Sequence, residues 1–98
     1  QGSELVQVEV EGRDGALDAG QVRAKLEQVS GVSRVLPKDG AGAKLRFEVE
    51  SLQGRMIRPE LARAVVESGW NLNELRSASV SLEEIFLELT AAKEGEQQ

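Results

Sequence analysis

The stretch that decides the fold is Lys44-Leu45-Arg46-Phe47-Glu48-Val49-Glu50. Its apolar residues, Leu45, Phe47 and Val49, alternate with charged ones, so one set of side chains is predicted to face a core and the other set water. This period of two indicates a β-strand in a sheet that is covered on one face only. The Gly-rich residues 38–42 before the strand are typical of a hairpin loop.

The first half of the chain supplies two more strands and a helix. Residues 6–10 alternate valine with polar side chains and predict a strand. Asp18 is placed to cap a helix, and Gly31 is placed to end it as its C′ residue. A short strand over Val32–Leu36, closed by Pro37, follows. The predicted apolar stripe of the helix consists of Val22, Leu26 and Val29.

The second half continues with a helix and a strand. Pro59 suits the first turn of the helix, and Gly69 is placed to end it. Residues 70–76 are predicted to form a fourth strand with Trp70 and Leu72 facing inward, whereas Leu75 breaks the alternation and indicates a bulge. The predicted apolar face of the helix consists of Leu61, Ala62, Val65 and Val66.

The predicted order is therefore β-α-β-β-α-β, followed by a C-terminal helix. This order is typical of an α+β, ferredoxin-like fold, with a four-stranded antiparallel sheet and two helices on one face. Residues 1–92 are predicted to form a single domain with its terminal helix, and residues 93–98 a disordered tail.

Composition excludes several functions. The net charge of −5 disfavours nucleic acid and anionic membranes as partners, and no apolar run approaches the ~20 residues of a membrane span. The chain lacks His and Cys, so its serines have no usual activating partner, and it contains no P-loop. Glu9 and Glu11 share a strand face, but two carboxylates favour a solvated surface over a cation site. We predict no catalytic, cofactor-binding or metal site.

A terminal helix is predicted over Ser81–Thr90. Ser81 and Glu84 have the spacing of a capping box, and Glu83 is a favourable first-turn acid. Leu87 lies off the apolar stripe and is a candidate contact with a neighbouring protein. The stripe expected to dock the helix consists of Leu82, Ile85, Phe86 and Leu89.

The second half resembles the C-terminal accessory domain of ABC transporter ATP-binding subunits, specifically those of ABC-2-type exporters. These ATPase chains often end in a helix reading Ser-Leu-Glu-Glu/Asp-Ile/Val-Phe-Leu-x-Leu-Thr, and Ser81–Thr90 is closely similar to it. The run Glu60–Trp70, a helix followed by Gly-Trp, adds support at the right distance. The first half matches only as a pattern of strand, helix and strand.

The resemblance implies a non-catalytic regulatory or interaction domain whose parent chain hydrolyses ATP and drives export. ATP and magnesium would bind to a preceding nucleotide-binding domain. Gln1 in place of methionine predicts an excised domain or a processed piece of a longer chain. The implied partners are that domain, the second ATPase subunit and the membrane subunit of the transporter, with a homodimer as a further option. The implied location is cytoplasmic, at the inner face of the membrane through the complex.

A small-molecule sensor is the alternative. Amino-acid-binding regulatory domains share the ferredoxin-like order, and their ligand sites lie at loop-helix junctions rich in glycine and polar groups. Asp14, Gly15 and Gly31 are the residues that could serve such a site. Nothing in their spacing indicates a particular ligand.

Overall fold

The computed structural model describes residues 2–40 and 42–78. Within them, four antiparallel strands form one sheet in the order β2-β3-β1-β4, so the predicted α+β fold with ferredoxin-like order is confirmed. The strands are β1 (Leu5–Glu11), β2 (Val32–Pro37), β3 (Lys44–Ser51) and β4 (Asn71–Ser77), and the helices are α1 (Ala19–Glu27) and α2 (Arg58–Glu67).

Both helices cover the same face of the sheet, called the inner face below, and contact each other. The alternation predicted from the sequence places Val8 of β1 opposite Phe47 of β3 on this face. Each such apolar side chain contributes roughly 1.5–3 kcal/mol by its burial. The buried apolar core consists of Val6, Val8, Val10, Val22, Leu26, Val35, Phe47, Val49, Ile57, Leu61 and Val65.

Helix α1 begins where the sequence predicts and ends earlier. The Asp18 carboxylate accepts a hydrogen bond from the Gln21 N–H at 3.2 Å, as expected of an N-cap. The helix ends at Glu27, so the prediction that Gly31 is its C′ residue is wrong. A further turn, closed by the bond from the Val32 N–H to the Val29 carbonyl, intervenes before β2. Gly31 serves that turn with a φ of +92°.

Helix α2 ends as predicted. Gly69 has a φ of +84°, and its N–H donates to the Val66 carbonyl while the Trp70 N–H donates to the Val65 carbonyl. These two bonds form a Schellman motif, which leaves Trp70 half-buried against the core just before β4. The placement of Val66 on the apolar face is wrong. Its side chain is 62% exposed, because Leu61 and Val65 occupy the side of α2 that faces the sheet.

Strand β4 contains the bulge that Leu75 indicated. Glu9 pairs with Glu74 and Val10 with Leu72, so Asn73 is an extra residue in β4 without a counterpart in β1. Because of this insertion, Leu72 and Leu75 both pack against the core although they are three residues apart. The irregular alternation is therefore a true feature of the strand.

Candidate functional site

The sequence motif that suggests a function lies outside the described residues. This applies to every predicted docking or contact position in the terminal helix and to the predicted tail, residues 93–98. The positions are Ser81, Leu82, Glu83, Glu84, Ile85, Phe86, Leu87 and Leu89. The described residues instead define the surface from which this segment departs.

The chain leaves the sheet at the end where β1 begins and β3 ends. The Ala78 N–H donates to the Leu5 carbonyl at 2.7 Å, and Leu5 in turn pairs with Glu50 near the end of β3. The loop that follows β3 carries two strongly exposed apolar side chains, Leu52 at 49% and Met56 at 72%. This end of the sheet thus combines the exit of the chain with exposed apolar surface.

The outer face of the sheet, opposite the helices, is polar and bridged from strand to strand. One ion pair links Arg46 of β3 to Glu9 of β1 at 2.8 Å, and the Arg76 guanidinium donates to the Gln7 side chain at 3.0 Å. Further ion pairs join β2 or its following loop to β3: Arg34 to Glu50 at 3.1 Å and Lys38 to Glu48 at 3.7 Å. Such exposed pairs contribute little individually, but they leave few free charges on this face.

The carboxylates of Glu9 and Glu11 both accept hydrogen bonds from the side-chain amide of Asn73. The Asn73 side-chain nitrogen donates to a Glu9 carboxylate oxygen at 2.9 Å and to one of Glu11 at 2.8 Å. Within residues 2–40 and 42–78, no group of three or more His, Cys, Asp or Glu is placed to hold a metal ion. The bulge at Asn73 was predictable from Leu75, but the bridge it makes between two carboxylates had no signal in the sequence.

The pKa of Glu9 is lowered from its ordinary value. The hydrogen bond from Arg46 is the main cause, and the hydrogen bond from Asn73 adds to it, because both stabilise the ionised carboxylate. The pKa of Arg46 is correspondingly raised, chiefly by the same bond. The pair is therefore charged on both sides at neutral pH.

We expect Glu9→Gln to lower the thermal midpoint at neutral pH and to lose this effect in acid. A carboxyl group whose pKa is depressed in the folded state stabilises that state above its unfolded pKa, and this stabilisation disappears as the pH falls through the folded value. Midpoints measured from about pH 3 to about pH 7 should therefore converge below the ordinary value of 4.5. In an Arg46→Met background the same substitution should show a weaker pH dependence. A difference that stays constant with pH would contradict the assignment.

A groove of about 270 Å³ lies between α1 and α2. Charged side chains of both signs line it, and one pair of them, Glu60 and Arg63, forms an ion pair at 2.9 Å. At the rim, the Ser30 hydroxyl accepts a hydrogen bond from Arg55 at 2.9 Å. Glu60 and Arg63 therefore engage each other, and Ser30 is engaged by an arginine outside the lining.

The residues suggested for a small-molecule sensor lie at opposite ends of the sheet. The loop containing Asp14 and Gly15 is tied to the start of β3 by the bond from the Gly12 N–H to the Ala43 carbonyl, at 2.8 Å. Gly31 lies at the other end, where its carbonyl accepts from the Leu52 N–H at 2.7 Å. Strand β3 separates them by roughly 25 Å. The structure does not combine them into one site.

Comparison with known proteins gives no independent indication of function. Searches against protein-family models, curated proteins and solved structures find no match to this chain. In the two described stretches, neither helix has the length and apolar character needed to cross a membrane. The resemblance of Ser81–Thr90 and Glu60–Trp70 is therefore the main guide to function.

Proposed function

We propose that this chain is the non-catalytic C-terminal domain of the ATP-binding subunit of an ABC-2-type transporter, with a regulatory or interaction role in ATP-driven export. The observation that carries the proposal is the run Ser81-Leu82-Glu83-Glu84-Ile85-Phe86-Leu87-Glu88-Leu89-Thr90, which is similar to the final helix of such subunits. Helix α2 with its Gly69-Trp70 ending supports it, at the spacing found in that family.

The geometry of the chain exit is compatible with an interaction role. Only Ser79 and Val80 separate Ala78 from the predicted helix, so an extended connection reaches about 10 Å at most. The segment therefore starts close to the end of the sheet that carries Leu52 and Met56. Apolar side chains at such a position can receive an amphipathic helix of the same chain or of a neighbouring subunit.

The polar outer face of the sheet favours a structural or interaction role for this domain over a catalytic one. Its carboxylates are engaged by Arg34, Arg46, Lys38 and Asn73. In the proposed parent protein, ATP and magnesium bind to the nucleotide-binding domain of the same chain. The present domain would then contact that domain, the second ATPase subunit or the membrane subunit, and Leu87 is the candidate for one such contact.

The sequence upstream of Gln1 in the parent gene is the direct test of this proposal. We expect it to encode Walker A and Walker B motifs, a signature motif and a switch histidine in the same reading frame. The purified parent chain should hydrolyse ATP, whereas the 98-residue chain alone should not. An upstream frame without these motifs, or ATP turnover by the 98-residue chain, would overturn the proposal.

A matched pair of variants separates an interaction role from a passive appendage. In the parent chain, Leu87→Asp should alter the rate of ATP hydrolysis or the association of ATPase subunits, while Glu88→Gln on the same predicted helix should leave both unchanged. A rise in the thermal midpoint with free amino acids would instead favour the sensor function. Equal behaviour of both variants and the unmodified chain would argue against a contact at Leu87.

A further inference from the structure

Strand β4 forms one edge of the sheet, and within residues 2–40 and 42–78 nothing pairs with its outer side. The opposite edge strand, β2, ends in Pro37 and has an irregularity between Val32 and Arg34, both of which hinder the addition of another strand. Beyond the bulge at Asn73, β4 is regular from Glu74 to Ser77 and contains no proline. Of the two edges, β4 is thus the better template for a further strand.

The direction of the backbone groups identifies the bonding positions on this edge. The Ala78 N–H points toward β1, where it donates to the Leu5 carbonyl. Because donors and acceptors alternate sides along a strand, the N–H and C=O groups of Leu75 and Ser77 point away from β1. These groups are available for bonds to a neighbouring strand.

We propose that β4 pairs antiparallel with β4 of a second copy of this chain, about a two-fold axis at Leu75. In this register Glu74 lies opposite the partner's Arg76, and Arg76 lies opposite the partner's Glu74. A shift of two residues in either direction would instead place Glu74 opposite Glu74 or Arg76 opposite Arg76. Like charges directly opposite each other are destabilising, so the charges of β4 select one register.

The side chains of β4 have the orientations that this pairing needs. Arg76 contacts Gln7 at 3.0 Å and Glu74 at 3.5 Å, which places both charged residues on the outer face. Leu75 lies on the inner face opposite Val8 of β1. Across the axis, the Leu75 side chains of the two copies would extend the apolar core from one sheet into the next.

Helix α2 supplies apolar surface beside the same edge. Its residues Glu60, Ala64 and Glu67 line the groove toward α1, and Leu61 and Val65 face the sheet. The remaining flank, which points away from α1 and packs above β4, carries Ala62 and Val66. Val66 is 62% exposed, and in the proposed dimer it would lie near α2 of the second copy. The exposed valine that contradicted the sequence prediction thus gains a role.

Charge reversal tests the pairing and its register together. Sedimentation velocity of the 98-residue chain over a range of concentrations should show a monomer converting to a dimer. Glu74→Arg alone and Arg76→Glu alone should each weaken dimerisation by about tenfold or more, because like charges then face each other twice. The double variant Glu74→Arg with Arg76→Glu should restore it, since both opposite-charge pairs return.

Two controls keep the result specific. Glu27→Arg alters a charge on α1 far from β4 and should leave the dimerisation constant unchanged. Circular dichroism of each variant should retain the spectrum of the unmodified chain, because these side chains are exposed. A chain that stays monomeric at every concentration overturns the proposal, as does a dimer that the double variant fails to restore. The inference rests on β4 and α2 alone, so it stands or falls independently of the transporter proposal.

Discussion

Replacing Phe47 with alanine is expected to lower the free energy of unfolding by about 3–5 kcal/mol. Phe47 is the largest of the fully buried side chains, with 2% of its surface exposed. It lies on β3 opposite Val8 of β1 and next to Pro37 of β2, so its ring fills the centre of the sheet's inner face. The surrounding valines and leucines can fill only part of the space that the ring leaves. Chemical denaturation followed by circular dichroism measures the loss.

Phe47→Leu is the matched control for this experiment. Leucine retains an apolar side chain at the position and leaves a smaller cavity, so the expected loss is about 1–2 kcal/mol. The ordering of the two variants follows from cavity size. Equal losses for both variants, or a loss below about 1 kcal/mol for Phe47→Ala, would be incompatible with the packing described here.

Replacing Phe86 with alanine is expected to lower the free energy of unfolding by roughly 3–5 kcal/mol if the predicted terminal helix docks on its own domain. Phe86 lies on the predicted stripe with Leu82, Ile85 and Leu89. Docking of that stripe removes the aromatic ring from water, and truncation of the ring would leave a cavity in the contact. The same denaturation measurement on the 98-residue chain gives the result.

Leu87→Ala is the control on the same helix. Because Leu87 lies off the stripe, its truncation should change the free energy of unfolding by less than about 0.5 kcal/mol. A loss for Phe86→Ala no greater than that for Leu87→Ala would show that the helix does not dock on the isolated domain. In that event its apolar face is available to another domain of the parent protein.

The regular strands were the most predictable part of the fold. In β1 and β3 the alternation of apolar and polar residues determines which side chains face the helices, and the structure places Val8 and Phe47 as expected. The bulge in β4 was also predictable, since Leu72 and Leu75 cannot both face inward in a regular strand. Alternation within one strand thus predicts which side chains are buried without knowledge of the neighbouring strands.

Features that depend on distant contacts were not predictable. Ile57 is fully buried, but it lies in a loop before α2 and belongs to no periodic pattern. Gly31 was predicted to end α1 because glycine is common just after a helix. The helix instead ends at Glu27, and a separate turn leads into β2. Val66 fitted the apolar face by spacing alone, and only the position of α1 shows which flank is covered.

On the surface, too, the local patterns were predictable and the contacts between distant residues were not. The exposed positions of Glu9 and Glu11 were predictable from alternation, but their shared contact with Asn73 requires the register of β4 against β1. The charge pattern of Glu74 and Arg76 becomes meaningful only once β4 is known to be an edge strand. The terminal helix, which suggested the function, still rests on sequence alone.

The position of β1 between β3 and β4 in the sheet affects how the chain folds during translation. Among the four strands β1 is synthesised first, yet one of its two neighbours is β4, the last of them, since Val6 pairs with Ser77. Contacts between such distant residues slow folding, because a long loop must close before they form. A nascent or truncated chain that ends before Asn71 leaves one side of β1 without its partner, and such unpaired strands promote aggregation. Complete synthesis through Ser77 is therefore a requirement for a finished sheet.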